Sequence, residues 1–131
     1  MNNKIIIAID AMGGENAPLK NIEGVSLFLK ENKNKKDVFF NLYGDEILIK
    51  KELNKYNISL DSYKIFPSST VVSDEETPLA AIKNSKDSSM WNSINSQITS
   101  NSQITLSAGN TGVLFVVSRM LLKTIESVSK P

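Results

Sequence analysis

The first apolar run of the chain constrains the fold more than any other feature. The stretch KIIIAID, from Lys4 to Asp10, is continuously apolar and rich in β-branched residues until its last position. A strand buried on both faces has this pattern, whereas a strand with one solvated face alternates apolar and polar residues. Strands buried on both faces belong to parallel sheets that helices cover. The run therefore predicts a central strand of an α/β protein.

The order of a strand followed by a helix then recurs along the chain. Further strands are predicted over 37–44, 62–69 and 102–108. A first helix is predicted with Pro18 as an early residue, and a second covers 45–56. A third begins at Pro78 with Thr77 as N-cap. A fourth covers 86–98 with Asp87 or Ser88 as N-cap, and a fifth begins at Thr111 or Gly112. Because parallel neighbours require crossover connections, we expect one α/β domain over 1–131, with a mostly parallel sheet between two helical layers.

Composition excludes several classes of function. The chain has 131 residues, 15 basic against 14 acidic, so no strongly cationic face is available for nucleic acid. It contains neither histidine nor cysteine, which rules out Ser-His-Asp and Cys-His catalysis within this chain. Asp10 interrupts the first apolar run, which is therefore too short for a signal peptide. The apolar stretch 112–125 carries Arg119 and Lys123 and is too short and too charged to cross a membrane. We expect a soluble protein.

Three polar segments follow predicted strands or open predicted helices, where ligands of open parallel sheets bind. The first is DAMGGENAP, in which Asp10 ends a strand and Gly13 and Gly14 allow positive φ and close backbone approach. The second is SAGNTG, residues 107–112, where free amides at the start of a helix could hold phosphate or carboxylate. The alternatives are structural, a tight turn for the first segment and a capped helix for the second.

The third segment, KDSSM, combines a cation, a carboxylate and two hydroxyls in Lys86, Asp87, Ser88 and Ser89. Its structural alternative is a solvated helix start. The acidic stretch 74–76 lacks ligands at fixed spacing, so no metal is assigned. Lysine, carboxylates, hydroxyls and backbone amides are the catalytic groups that remain. They suit a reaction whose attacking group is already an anion, such as inorganic phosphate.

Four strings carry a family resemblance: IAIDAMGGENAP, LYGDE, TPLAAIKNSKDSSM and SAGNTG. In this order and spacing they resemble the N-terminal half of the bacterial phosphate acyltransferases of the PlsX family. The resemblance implies transfer of a fatty acyl group from acyl carrier protein to inorganic phosphate, giving acyl phosphate for phospholipid synthesis. It also implies a Rossmann-like three-layer fold related to isopropylmalate dehydrogenase and phosphotransacetylase, a homodimer, and a cytoplasmic protein attached peripherally to the membrane. No cofactor is expected.

The resemblance identifies the family's motif positions in this sequence, and we predict roles for them. Lys86 and the amides around 109–111 would hold phosphate or the developing oxyanion, Asp10 with Asn16 would orient those groups, and Asp87 would position Lys86 or the serines. The predicted catalytic residues are Lys86, Asp87, Asp10 and Asn110, and the predicted substrate-binding residues are Gly13, Gly14, Asn16, Ser88, Ser89, Ser107, Gly109 and Thr111. Glu15 stands where the family usually has aspartate, and Asn84 and Ser85 stand where it usually has basic residues.

Family members are considerably longer than this chain, so we expect it to be the N-terminal part of such an enzyme. The regions for dimerisation and membrane attachment would lie outside it. Two alternatives stay open. One is a non-catalytic module that binds phosphate or a partner, and the other is a metal- and NAD-dependent dehydrogenase of the related fold. The second lacks a recognisable nucleotide fingerprint in this sequence.

Overall fold

The computed structural model describes residues 4–34 and 36–128. Its strands are β1 (Ile5–Asp10), β2 (Val38–Gly44), β3 (Tyr63–Pro67) and β4 (Ile104–Leu106). Its helices are α1 (Leu19–Glu31), α2 (Glu46–Leu53), α3 (Pro78–Asn84), α4 (Ser89–Ile98) and α5 (Thr111–Leu121), with a 3-10 turn at Leu60–Ser62. The strand and helix alternation predicted from the sequence is therefore confirmed.

The strands form one parallel sheet in the order β3-β2-β1-β4. From β1 the chain builds β2 and β3 to one side and then returns to place β4 on the other side. The carboxyl ends of β1 and β4 therefore flank the point where the strand order reverses, which is where open α/β sheets bind ligands. Asp10 ends β1, and Ser107 follows β4 directly.

Helices cover both faces of the sheet, as two hydrophobic clusters and the contacts of α4 with β1, β2 and β4 show. One cluster joins β1 and β2 to α1 and α2, and the other joins α3, α4 and α5. The first contains Ile9, Ala11, Ile22, Val25, Phe40, Leu42, Ile49 and Leu53, and the second contains Val72, Ala81, Met90, Ile94, Val113 and Val117. Each fully buried aliphatic side chain contributes about 1.5–3 kcal/mol, so these clusters supply the main stabilisation of the predicted three-layer α/β/α arrangement.

Helix α4 packs on the sheet through small side chains. Ser93 and Ser96 are buried, and each donates a hydrogen bond to a carbonyl of its own helix, to Met90 O at 2.8 Å and to Ser93 O at 2.6 Å. Because the hydroxyls are satisfied locally, the helix can bury them without an unpaired polar group. Their small volume brings α4 against β1, β2 and β4, and so brings its first residues to the end of β1.

Some element boundaries differ from the sequence prediction. Helix α2 ends at Leu53 instead of Tyr56, because the next amides bond three residues back, as in Tyr56 N to Leu53 O at 3.1 Å. Strand β4 is shorter than predicted because the side-chain oxygen of Gln103, rather than a backbone carbonyl, accepts the Ile6 amide at 2.7 Å. Pro18 is the N-cap of α1, not a residue inside it. Across 4–34 and 36–128, no helix has the length and apolar character needed to cross a membrane.

Candidate active site

A buried carboxylate ties the three sequence segments together. Asp10 is 2% exposed, and its Oδ1 accepts a hydrogen bond from Ser89 Oγ at 2.6 Å. Its Oδ2 accepts a second bond from Ser107 Oγ at 2.7 Å. We call Asp10, Ser89 and Ser107 the Asp10 cluster. Since its members come from the ends of β1 and β4 and from the first turn of α4, the cluster brings the three segments together at one edge of the sheet.

Both serine hydroxyls of the Asp10 cluster are committed as donors to the carboxylate. Ser107 Oγ also accepts the Gly109 amide at 3.1 Å, so the loop after β4 is bonded to its own serine. Each hydroxyl has a single proton to donate, and that proton is already used. The cluster therefore holds the loops in place, and its serines have no hydroxyl proton left for a ligand.

Glycine is required where the first and second segments touch. A Cβ on Gly13 would lie 2.6 Å from Asp10 Oδ2 and 2.9 Å from Gly109 N. Gly14 has φ +90°, and a Cβ there would meet Ala108 O at 2.8 Å. Both values are shorter than side chains tolerate, so any other residue would push the loops apart. The glycines predicted to allow close backbone approach do so against the loop that follows β4.

Asn110 is the N-cap of α5 and also fastens a neighbouring loop. Its Oδ1 accepts the Val113 amide at 3.2 Å, as N-cap side chains do. Its Nδ2 donates to the carbonyls of Ser73, Asp74 and Glu76, at 3.1, 3.2 and 2.9 Å. Both polar atoms of this side chain are thus engaged by the protein. The sequence placed Asn110 in the site but gave no sign of the three carbonyls that it holds.

Four of the remaining predicted residues lie at the surface of these segments, whereas the fifth, Ser88, is buried. Asn16, Lys86, Asp87 and Thr111 are all exposed, and we call them the rim residues. Asp87 and Asn16 have positive φ, +66° and +57°, which these residue types tolerate better than most. Ser88, rather than Asp87, caps α4 by accepting the Trp91 amide at 3.1 Å. Among the ion pairs of the described residues, none includes Lys86.

Several main-chain amides at this edge are free to bind a ligand. Within the described part of the chain, the amides of Met12, Gly14, Thr111 and Gly112 donate to no protein acceptor. Two of them belong to the first turn of α5, where the helix dipole places partial positive charge. Lys86 is the only basic residue in the three segments. These free amides, with the lysine of the neighbouring segment, are the groups at this edge that could bind a small anion.

Tyr43 is the ionisable neighbour of Asp10 on the adjacent strand, because the two residues are paired in the β1–β2 register. Its ring is buried and stacks on Phe66, with ring centroids 4.9 Å apart. Burial raises the pKa of the Tyr43 phenol above its ordinary value, although its Ser96 and Asn41 neighbours lower it in part. The phenol therefore stays protonated at neutral pH and offers no general base to the site.

Asn21, on α1, is a residue at this edge that sequence analysis missed. Its Nδ2 donates to the carbonyls of Ala11 and Gly13, at 2.8 and 2.9 Å. No motif marks it, because its importance depends on how α1 folds back over the preceding turn.

Comparison with known proteins supplies the family. Residues 5–131 match the model of a family described as "Fatty acid synthesis protein". A phosphate acyltransferase of Pelagibacter ubique is 40% identical over 131 residues, covering 100% of this chain and 38% of the relative. The phosphate acyltransferase of Magnetococcus marinus is 38% identical, and the match covers 95% of this chain and 35% of the relative. That of Neisseria meningitidis serogroup C is 35% identical, and the match covers 97% of this chain and 35% of the relative.

These figures have two consequences. The chain spans little more than a third of the length of the curated relatives it matches. The family match, in contrast, covers nearly the whole chain and includes all three segments of the candidate site. The chain therefore belongs to the fatty acid synthesis protein family, that of the PlsX phosphate acyltransferases.

Proposed function

We propose that the protein transfers a fatty acyl group from acyl carrier protein to inorganic phosphate and releases acyl phosphate. The observation that carries this proposal is the Asp10 cluster, which draws two glycine loops and the start of α4 to one edge beside free amides. The names of the relatives support phosphate and an acyl group as substrates. Acyl carrier protein as donor, acyl phosphate as product and use in phospholipid synthesis are part of the proposal.

The chemistry requires little acid–base help from the protein. A phosphate oxygen attacks the carbonyl carbon of the acyl thioester, the carbon–sulfur bond breaks, and the proton of hydrogen phosphate ends on the released thiol. The protein has to bind the dianion, align it and stabilise the oxyanion that forms on the carbonyl. These tasks suit amides and a lysine, and they need no histidine.

We assign roles by what each side chain has free. Lys86 is exposed and would contact phosphate or the oxyanion, together with the free amides of Thr111 and Gly112. Asp10 would act indirectly, because both of its oxygens already bind serine hydroxyls. Asn110 would likewise act by fixing the start of α5. Asp87 would orient Lys86, and Asn16 would shape the turn that carries Gly14.

The direct test uses the complete protein with long-chain acyl carrier protein and phosphate, and measures acyl phosphate formed. Lys86→Ala should reduce turnover while the melting temperature changes little. Lys83→Ala is the matched control, since Lys83 is an exposed lysine in the last turn of α3 and lies outside the three segments. A folded wild-type protein that forms no acyl phosphate would reject the proposal. Phosphate binding without turnover would instead favour a non-catalytic phosphate-binding module.

Homodimerisation, peripheral attachment at the cytoplasmic face of the membrane and residence in the cytoplasm are further parts of the proposal. They come from the family resemblance, and sedimentation and membrane fractionation of the complete protein would test them. The dehydrogenase alternative gains no support from the relatives, which carry the name phosphate acyltransferase. Reduction of a nicotinamide cofactor by a hydroxy acid would revive it.

A further inference from the structure

Asn21 joins α1 to the turn that follows β1. It is half-buried in the first turn of the helix, and its single Nδ2 group bonds the carbonyls of Ala11 and Gly13, ten and eight residues earlier in the chain. The turn contains two glycines and has few other bonds of its own, Gly13 N to Asp10 O at 3.3 Å being one. Because glycine has a wide range of backbone conformations, a side-chain amide that fixes two carbonyls restricts this turn substantially.

The bonds to Asn21 also determine where two amides point. The peptides after Ala11 and Gly13 are trans, and in a trans peptide the carbonyl oxygen and the next N–H point in opposite directions. With both carbonyls directed at Asn21, the amides of Met12 and Gly14 are directed away from α1. These are two of the amides that lack a protein acceptor in the described ranges. Gly14 itself lies against Ala108, beside the start of α5.

We propose that Asn21 is a positioning residue for phosphate, which holds the Met12 and Gly14 amides outward as donors to the anion. The inference rests on the proposed function, and it extends the phosphate site from the start of α5 to the turn after β1. Asn21 would not contact phosphate. Its effect would be on the affinity for the anion, because the amides must be aligned before phosphate binds.

The test compares Asn21 with a second asparagine on the same helix. Asn32 is the C-cap of α1, and its Nδ2 donates to Phe28 O at 2.9 Å, so Asn32→Ala removes a similar bond at the opposite end. In the complete protein, Asn21→Ala should raise the KM for phosphate about tenfold and leave the KM for the acyl donor unchanged. Asn32→Ala should change neither KM.

Two further variants separate positioning from folding. Asn21→Asp keeps the shape but places a carboxylate against carbonyl oxygens, so its KM for phosphate should rise at least as much as that of Asn21→Ala. Asn21→Ser keeps one donor and should give an intermediate KM, which also covers the case in which the alanine variant does not fold. Melting curves identify the folded variants.

The outcomes distinguish this inference from the proposed function. If the wild type makes acyl phosphate and folded Asn21→Asp or Asn21→Ser has the wild-type KM for phosphate, the positioning role is overturned and the proposed function stands. An equal rise of both substrate KM values would also overturn it, since that pattern indicates a general structural defect. If the wild type neither binds phosphate nor makes acyl phosphate, the proposed function fails and this inference fails with it.

Discussion

The Asp10 cluster and the rim residues lie at the same edge of the sheet but differ in almost every physical respect. Asp10 and Ser89 are 2% and 1% exposed, and their polar atoms are paired across long stretches of chain. The rim residues are exposed, and the lysine among them is in no ion pair of the described residues. The difference teaches that the buried group fixes the geometry, whereas the outer group is available to a ligand.

This division predicts that variants of the buried group lower stability, whereas removal of the exposed Lys86 side chain changes activity alone. The largest expected effect is that of Gly13→Ala. Its new Cβ would lie 2.6 Å from Asp10 Oδ2, so the variant should lower the free energy of unfolding by about 3 kcal/mol or prevent folding. Gly24→Ala is the control, because a Cβ there meets nothing within 4 Å and the residue is inside α1. Chemical denaturation should show it unchanged or up to about 1 kcal/mol more stable.

Asp10→Asn should have the next largest effect. One of the two serine hydroxyls would then face an amide donor instead of a carboxylate oxygen, and a buried unpaired group costs about 2 kcal/mol in unfolding free energy. The control is Asp45→Asn, which changes the exposed N-cap of α2 from one good capping residue to another. Denaturation curves that coincide for Asp10→Asn and wild type would contradict a structural role for the Asp10 cluster.

Lys86→Ala should leave the free energy of unfolding within about 0.5 kcal/mol of wild type, as for an exposed side chain with no ion pair. Turnover to acyl phosphate should fall about 100-fold, as expected for loss of a group that stabilises developing charge. Should the variant instead lose stability and keep its turnover, the division between buried and rim residues would be wrong.

Asp87→Gly should have the smallest effect on stability. The φ of Asp87 is +66°, a conformation that glycine adopts without strain. The relief of strain nearly offsets the larger conformational entropy of glycine in the unfolded chain, so the free energy of unfolding should change by less than about 0.5 kcal/mol. Asp87→Val is the contrasting variant, since a β-branched residue in that conformation should cost about 1–2 kcal/mol. Thermal melts of the pair would test whether this rim position is fixed by backbone conformation alone.

Much of the fold was predictable from local patterns. Thr77 caps α3 and is followed by Pro78, as the sequence indicated, because capping depends on residues three positions apart. The end of α2 was less predictable, since α-helical and tighter turns compete over its last residues. The short β4 depended on a distant partner, because Gln103 uses its side chain to bond Ile6.

The candidate site was predicted in outline and not in its contacts. The sequence singled out the three segments, from the rule that ligands bind beyond the carboxyl ends of parallel strands, and the structure shows that they meet. The partners within it were not identified. Asn110 holds three carbonyls of residues 73–76, more than thirty positions away, and Asn21 gave no motif at all.

The sequence by itself determined the alternation of strands and helices, the parallel class of the sheet and the family, because these depend on apolar periodicity and on short strings of residues. Only the tertiary structure decided that Ser89 and Ser107 share one carboxylate. These partners lie 79 and 97 residues from Asp10, and they meet because β4 is placed beside β1 and the small residues of α4 let that helix approach the sheet. Such contacts depend on strand order and packing distance, which local patterns do not encode.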